Sequence, residues 1–436
     1  MIKKTTRKII STKAKTKVSK KETVTYDVVV VGGGPAGLMA AGTAAKDGAK
    51  VFVIEKNEEL GKKLLISGGG RCNLTNANPN HRDFVSKYGK KGNFLFTPFS
   101  IFSVNDSIKF FNDLGLKTKV EPGFRVFPES NSSLDVLEIL VRYAKNNGVE
   151  FMLSMEVDKF KKVGEKITSV ILKNGEEIKA KSFVLATGGK SHPETGSTGD
   201  GFKWLKELGH KVADSNPSLV PIKIKEIWIG DFAGITLENV GISVWQDSKK
   251  IINKKGRILF THEGASGPTI LNMSKDIGDL LQYGETKIAI DFFPGIGLDE
   301  LHERFKKLFE LHSSKKIKNL IINEVPAKIF LKILDLLKID GEIWMNSIMR
   351  EERTAIIDKL KKFELRVSGL MGYDKAIISS GGLDLEEVDF RTMKSKLFDN
   401  LFFVGDLLDF DRPSGGFSLQ LCWTTGYIAG KNSVSK

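Results

Sequence analysis

Four consecutive valines, Val28 to Val31, open the folded pattern, and a second short apolar run, Val51 to Ile54, follows an Ala-rich stretch of helical spacing. Uninterrupted apolar runs of this length predict strands buried on both faces, and the helix between them predicts a βαβ unit. Farther on, EVDKFKKV, KITSVILKNG and EEIKAKSFVLATGG predict a three-stranded antiparallel meander. From about Val212 to Phe293 the runs stay strand-like, as in LVPIKIKEI, GISVWQ, RILFTH and KIAIDFF. From about Leu298 to Phe363 they turn helical and Lys-rich. DNLFFVGDLLDFD then returns to a buried strand, and GGFSLQLCWTTGYIAGK to a helix with small residues on one side. The expectation is an α/β fold with one discontinuous nucleotide domain, 24–193 and 366–436. An α+β insert at 194–365 separates its halves, with a β part at 194–297 and a helical part at 298–365.

Composition changes this picture little. A chain of 436 residues has room for two or three cores, and 41% hydrophobic with 28% charged residues is ordinary for a globular protein. No apolar run reaches the ~18–20 residues that span a bilayer, so no membrane partner is expected. The net charge of +14 is concentrated at residues 1–23, where nine basic residues stand against Glu22 alone, leaving +6 for the rest. That segment lacks an apolar h-region and reads as a disordered basic arm: a solvated extension, a tether to an anionic surface or a targeting peptide. Aromatic residues are not interleaved with the lysines in an RNA-binding pattern, which argues against nucleic acid as a partner. The two cysteines, Cys72 and Cys422, have neither disulfide nor metal spacing, so no metal is expected and the compartment is read as a reducing cytoplasm.

Candidate chemistry begins at Gly32-x-Gly34-x-x-Gly37, placed between the first strand and the helix. Gly32 permits the tight turn, Gly34 lets backbone N–H groups approach a pyrophosphate, and Gly37 lets the helix pack on the strand. Glu55, ending the second strand, is placed to accept hydrogen bonds from ribose hydroxyls. The stretch ISGGGRCNLTN adds Gly68-Gly69-Gly70, which contribute no side-chain packing and imply a backbone pressed against a ligand or a flexible loop. Ala186-Thr187-Gly188-Gly189 and Gly405-Asp406 end two later strands and offer further close approaches.

The chain resembles the HI0933/YhiN (BaiN-like) family of NAD(P)/FAD-dependent oxidoreductases, within the glutathione-reductase-like FAD superfamily. KKLLISGGGRCNLTN, FRVFPESNSSLDVL, ATGGKSHPETGSTGDGF, LFTHEGASGPTIL, AIISSGGLDLEEVDFRTMKSK and LFFVGDLLDFDRPSGGFSLQLCWTTGYIAG carry the resemblance, in order, from Tyr26 to Gly430. It implies FAD as cofactor, a Rossmann-like FAD-binding domain from both chain ends, and an insert made of a small β-barrel and a helical subdomain. It also implies that the GGGRCN loop passes the flavin as a ligand surface. The candidate cofactor set is completed by Pro35, Ala36, Lys56, Lys63, Ser67, Arg71, Asn73 and Val157. To these are added Gly416, Phe417, Ser418, Leu419 and Gln420, where the last helix opens and its N-terminus can polarise a flavin carbonyl.

Three residues are candidates for catalysis. Arg71 can stabilise an anionic reduced flavin or an anionic substrate group, or it bridges loops. Cys72 is a redox thiol or a packing residue, whereas Cys422 reads as inert. His262 can move the proton that accompanies hydride transfer or sits as a structural histidine; His192 is a weaker alternative. Asn73 and Thr75 bind flavin or substrate, or cap the turn.

A single GxGxxG, without a second nucleotide-binding unit or a CxxxxC-type pair, argues against a disulfide reductase with its own NADPH domain. The expected function is hydride or electron transfer between a small-molecule substrate and NAD(P)H or oxygen through non-covalent FAD. The alternatives are an FAD-dependent amine oxidase, a tRNA-modifying flavoprotein and a non-catalytic flavin-binding module.

Overall fold

The computed structural model describes residues 25–320 and 322–434, so the basic arm expected at 1–23 lies outside the described residues. The described chain divides into two compact units, 25–217 with 377–434, and 218–376.

In the first unit, β1 (Thr25–Val31), α1 (Pro35–Lys46) and β2 (Val51–Ile54) form the expected βαβ unit, with β1 and β2 parallel. The four valines of β1 are buried because a helix-covered parallel strand presents both faces to core. After α2 (Ser133–Asn146), β3 (Glu150–Met152) extends the sheet beyond β2. β4 (Val157–Val163), β5 (Lys166–Leu172) and β6 (Glu177–Leu185) form the antiparallel meander, and β6 runs parallel to β1 on its other side. α3 (Asp200–Leu208) buries Phe202, Trp204 and Leu205 in the same core. That packing carries the first unit to Pro217, past the boundary near 193 drawn from the hydrophobic pattern.

The second unit is a closed barrel with helices. Its strands are β7 (Ile222–Ile224), β8 (Thr236–Gln246), β9 (Lys249–Phe260), β10 (Gly264–Ser266), then α4 (Pro268–Leu281), β11 (Thr286–Asp291) and, after three helices, β12 (Phe363–Leu370). The closure order is β7-β10-β9-β8-β11-β12. Ile242, Val244, Ile258, Ile288, Ile290 and Leu365 fill the interior, following the period-two alternation of a one-sided strand. The helices α5 (Leu298–Leu311), α6 (Ala327–Leu336) and α7 (Arg350–Lys361) occupy the stretch expected to be helical. β12 pairs with β7 and β11, so the barrel closes through residues beyond 365 and the unit ends at Ala376.

The chain then re-enters the first unit, where β13 (Leu401–Phe403) pairs parallel with β6 and α8 (Phe417–Ser433) packs on α1. Gly426 and Gly430, one helical turn apart, make that approach possible. A Cβ at either would stand 2.6 Å from Ala36 O or 2.5 Å from Ala40 O.

Candidate functional site

The sheet of the first unit ends in a cavity of about 470 Å³, lined where β1, β2, β6 and β13 reach their C-terminal ends. Open α/β sheets bind ligands at this edge. Around the first turn the glycines serve different ends. A Cβ on Gly32 would meet Ala186 O at 2.5 Å, and one on Gly37 would meet Gly32 O at 1.9 Å. At Gly34, the residue preceding α1, an added Cβ would meet no protein atom within 4 Å. The first turn of α1 has neither a side-chain cap nor an acidic residue, so its N–H groups and positive dipole end face the cavity without competition.

Glu55 is buried at the cavity wall and already accepts three hydrogen bonds. Gly33 N–H donates to Oε2 at 2.7 Å, while the backbone and side-chain amides of Asn57 donate to Oε1 at 2.9 and 2.8 Å. A carboxylate offers about four lone-pair sites, so Oε2 keeps one for a further donor. Beside it, Lys56 is held by Asp200 at 2.7 Å and Thr198 at 2.6 Å. The Oγ1 of Thr187, another lining residue, is buried without a hydrogen-bond partner among the described residues.

Elsewhere on the wall, a short helix, Lys62–Ile66, leads into a tight 3₁₀ turn at Ser67–Gly70. Gly68 and Gly69 adopt φ of 57° and 68°, a conformation that side chains strain. Lys63 lines the cavity and its Nζ donates to Ser191 Oγ at 2.5 Å. Burial holds its ammonium below the usual lysine range, against the opposing pull of the Asp406 carboxylate. Asp406 is itself bound by the buried Arg412, which also donates to Phe410 O at 2.6 Å and Ser418 Oγ at 2.9 Å. Cys422 lines the same region, and burial raises its thiol far above the range in which it would ionise.

Many sequence candidates line this cavity: Gly32, Gly34, Pro35, Ala36, Glu55, Lys56, Lys63, Ser67, Gly68 and Gly69 from the first half of the fold. Val157, Ala186, Thr187, Gly188, Gly405, Asp406, Ser418 and Leu419 join them from later segments. Others stand behind the lining. Gly37 packs on the β1 turn, and Phe417 rests on Phe84 and Tyr88. Gln420, fully buried, accepts from Thr75 Oγ1 at 2.6 Å and donates to Ser107 Oγ at 2.8 Å. With its amide turned so that both of its groups find partners, the Asn73 side-chain carbonyl accepts from Gly416 N–H at 3.1 Å, tying the glycine loop to the start of α8.

The three catalytic candidates are placed differently from one another. The Arg71 guanidinium pairs with Glu121, donates from Nε to Asn131 at 3.0 Å and stacks 4.1 Å over Phe127. Gly70, adjacent in the same turn, is also outside the lining. Cys72 is fully buried, and burial pushes its thiol up to about 12. His262 lies exposed in the second unit, in the turn between β9 and β10. His192 does line the cavity, with Nδ1 2.8 Å from Glu194.

Several lining residues were not among the sequence candidates, notably Asn57, Thr195, Gly196, Ser197, Asp200, Trp204, Ile377 and Ile378. A signal existed for some, since TGSTGDGF and AIISS belong to the stretches that carry the family resemblance. None announces a ligand by residue type. Trp204 enters because α3 packs on the first unit, and Asn57 because it fills the space beside Gly196.

FAD fits this donor set. Open backbone at Gly34, an uncapped helix N-terminus and a carboxylate with a spare lone pair suit a pyrophosphate and its ribose. The family model described as the HI0933-like protein Rossmann domain matches residues 26–432. The 3-dehydro-bile acid delta(4,6)-reductase of Clostridium scindens is 29% identical over 410 residues, 93% of this chain and 98% of that protein. The ribosomal RNA dihydrouridine synthase of Escherichia coli is 25% identical over 413 residues, 94% of this chain and 98% of that protein. Among solved structures, the open conformation of a flavocytochrome c3 fumarate reductase superposes with a TM-score of 0.53 at 17% identity, covering 94% of this chain and 78% of that one. The fold, the cavity edge and these matches agree, and the chain belongs to the HI0933-like family of FAD-dependent oxidoreductases, built on a Rossmann-like FAD-binding fold.

Proposed function

We propose that the chain binds FAD non-covalently in the cavity of the first unit and acts as a reductase of electron-poor carbon–carbon double bonds in a small organic substrate, with NAD(P)H as transient electron donor. The observation that carries the reading is the open backbone at Gly34 before an uncapped helix. FAD, when bound there, would supply two-electron hydride chemistry between donor and substrate. The α1 N-terminus and the Gly34 amide would hold the pyrophosphate, and the remaining Glu55 lone pair would accept a ribose hydroxyl. Asp406, its charge balanced by Arg412, would hold a sugar-like segment of the cofactor without adding net negative charge.

Reduction of a double bond conjugated to a carbonyl adds hydride at one carbon and a proton at the other. Lys63, half-buried in the lining and held below the usual lysine range, is the chain's proton source for that second step. The buried Cys72 thiol serves packing, and Arg71, committed to Glu121 and Asn131, positions the glycine loop. The choice of double-bond reduction draws on two relatives whose names, a delta(4,6)-reductase and a dihydrouridine synthase, both denote hydrogen added across such a bond.

A second reading has one observation in its favour. The dihydrouridine synthases of Escherichia coli and Haemophilus influenzae match 94% and 92% of this chain. In that reading the double bond belongs to a pyrimidine within RNA, and the chemistry in the cavity is unchanged.

Anaerobic flavin bleaching tests the reading directly. NADH or NADPH should bleach the bound flavin, and an α,β-unsaturated ketone should restore its colour. Bleaching by small amines with recovery only in oxygen would replace it with an oxidase. Extracted FMN, or no flavin after reconstitution, would remove its basis.

A further inference from the structure

The second unit carries a groove, about 550 Å³ in volume, on the outer face of its barrel. Across β8 and β9, Gly241 stands opposite Lys255, Ser243 opposite Asn253 and Trp245 opposite Lys250. Opposed residues of an antiparallel pair share a face, and the intervening Val240, Ile242 and Val244 are buried inward. Gly241 and Ser243 are short, so the floor is low. A Cβ at Gly241 would already stand 3.1 Å from Asp291 Cβ.

Five lysines line this groove, Lys250, Lys254, Lys255, Lys361 and Lys362, against one carboxylate, Asp291. Asp291 is committed to Lys361 at 2.7 Å, whose ammonium also donates to Phe293 O and Ile296 O at 3.0 Å each. Lys362 pairs with Glu364 at 2.8 Å and lies 4.0 Å over the Trp245 ring, with Lys250 at 5.5 Å from the same ring. Lys250, Lys254 and Lys255 are exposed and have no carboxylate partner among the described residues; Lys250 and Lys255 share the face of Trp245 and Gly241, while Lys254, opposite the buried Ile242, borders the groove at its edge. A ring that gathers ammonium groups concentrates positive charge without quenching it, as an acid would. Like charges brought together on one concave face repel one another, a cost that a polyanion removes.

We propose that this groove binds the phosphodiester backbone of RNA. The proposal rests on the second reading above, in which the substrate base belongs to an RNA strand. Lysine ammonium groups suit phosphates as point charges, and a concave row of them suits a strand rather than a flat membrane. The groove reads no sequence, because lysines on phosphates carry none.

The test measures anisotropy of a labelled uridine-rich 20-mer RNA with the full chain at several salt concentrations. Replacing Lys250, Lys254 and Lys255 together by alanine should weaken binding about tenfold or more at moderate salt. It should also flatten the log Kd against log salt slope by about 2, since each single-strand phosphate contributes ~0.7. A control triple in the first unit, Lys159, Lys166 and Lys179 to alanine, removes the same charge from exposed positions and should change affinity less than twofold. Crosslinking of a 4-thiouridine probe to the unsubstituted protein should map to 241–255 and 361–362. Equal loss in both triples, no RNA binding by the unsubstituted chain, crosslinks confined to other segments, or loss of phosphatidylserine-vesicle binding with RNA affinity unchanged would each overturn the proposal. Flavin reoxidation by a free unsaturated ketone is scored separately, and the groove variants should keep it within twofold. If RNA binding fails while that reoxidation persists, the groove proposal falls and the reductase reading stands.

Discussion

Two glycine turns bring backbone to the same cavity, and they do so for different physical reasons. In the first, Gly32 to Gly37, the chain is short of room: Gly32 and Gly37 would drive a Cβ into backbone oxygens of the protein itself, and Gly34 alone faces open space. In the second, Gly68 to Gly70, the limit is conformation. Gly69 and Gly70 have no protein atom closer than 3.9 Å to an added Cβ, yet both lie at positive φ. Within the second turn only Gly68 is constrained in both ways, with Asn73 N at 2.7 Å, as Gly32, at φ 110°, is in the first. One motif of three glycines therefore contains two that the fold needs and one that stands open to the cavity, while the other is mainly a matter of turn geometry.

The largest expected effect separates the members of the first turn. Gly37→Val should cost about 3 kcal/mol or more, because the clash is with backbone that cannot move aside, and soluble folded protein should be lost. Gly34 has φ −79°, which valine adopts freely, so Gly34→Val should melt within a few degrees of the unsubstituted chain. Its FAD affinity should nonetheless fall ~100-fold, the equivalent of two lost hydrogen bonds to a charged group. Ultrafiltration with flavin fluorescence reads the affinity, and circular dichroism reads the fold. Equal FAD affinity in Gly34→Val would break the comparison.

Asparagine tolerates the left-handed region, so it isolates space from conformation in the second turn. Gly69→Asn should fold and lose most of its FAD, because Gly69 lines the cavity. Gly70→Asn should fold and keep it, because Gly70 does not. Matching behaviour of the two variants would show that the loop acts as a unit. A smaller effect concerns charge, which the short helix leading into the second turn carries and the first turn does not. Lys63→Met should raise the melting temperature of flavin-free protein, since a desolvated ammonium is removed, while weakening FAD retention. A lysine whose folded pKa is depressed contributes stability that is complete above its unfolded value of 10.5 and lost as pH falls through the folded one. The advantage of Lys63→Met should therefore shrink as pH rises toward 10.5, and calorimetry across that range checks it.

The smallest effects are expected at the loop exit. Arg71→Ala breaks a partly exposed ion pair with Glu121, a loss of about 0–1 kcal/mol, and should retain FAD with at most a modest drop in the rate of flavin reduction. Cys72→Ser should turn over at a near-normal rate, because burial keeps the thiol protonated. Abolished turnover with intact flavin in either variant, read by stopped-flow absorbance, would return that residue to the chemistry.

Much of this was legible in the order of residues. The strand–glycine–helix–strand–acid pattern is local, so spacing alone located the Gly34 turn and Glu55, and alternation located the meander of β4 to β6. The boundary near 193 was not legible, because α3 is amphipathic in either unit and only its packing through Trp204 assigns it to the first. Nor did the cysteine of ISGGGRCN or its arginine disclose their surroundings. A thiol's reactivity depends on burial, and a guanidinium's role depends on whether Glu121, fifty residues away, has already claimed it.

By itself, then, the sequence determined the βαβ unit and the family, because each depends on neighbours within a few residues or on a pattern sustained along the whole chain. Tertiary structure alone decided which glycines face open space and how Arg412 neutralises Asp406. It also decided that a Gly-x-Ser-x-Trp strand and two lysine pairs, about a hundred residues apart, close a single groove. Those outcomes depend on distances between segments remote in the chain, and steric contact and charge pairing act through space rather than along the backbone.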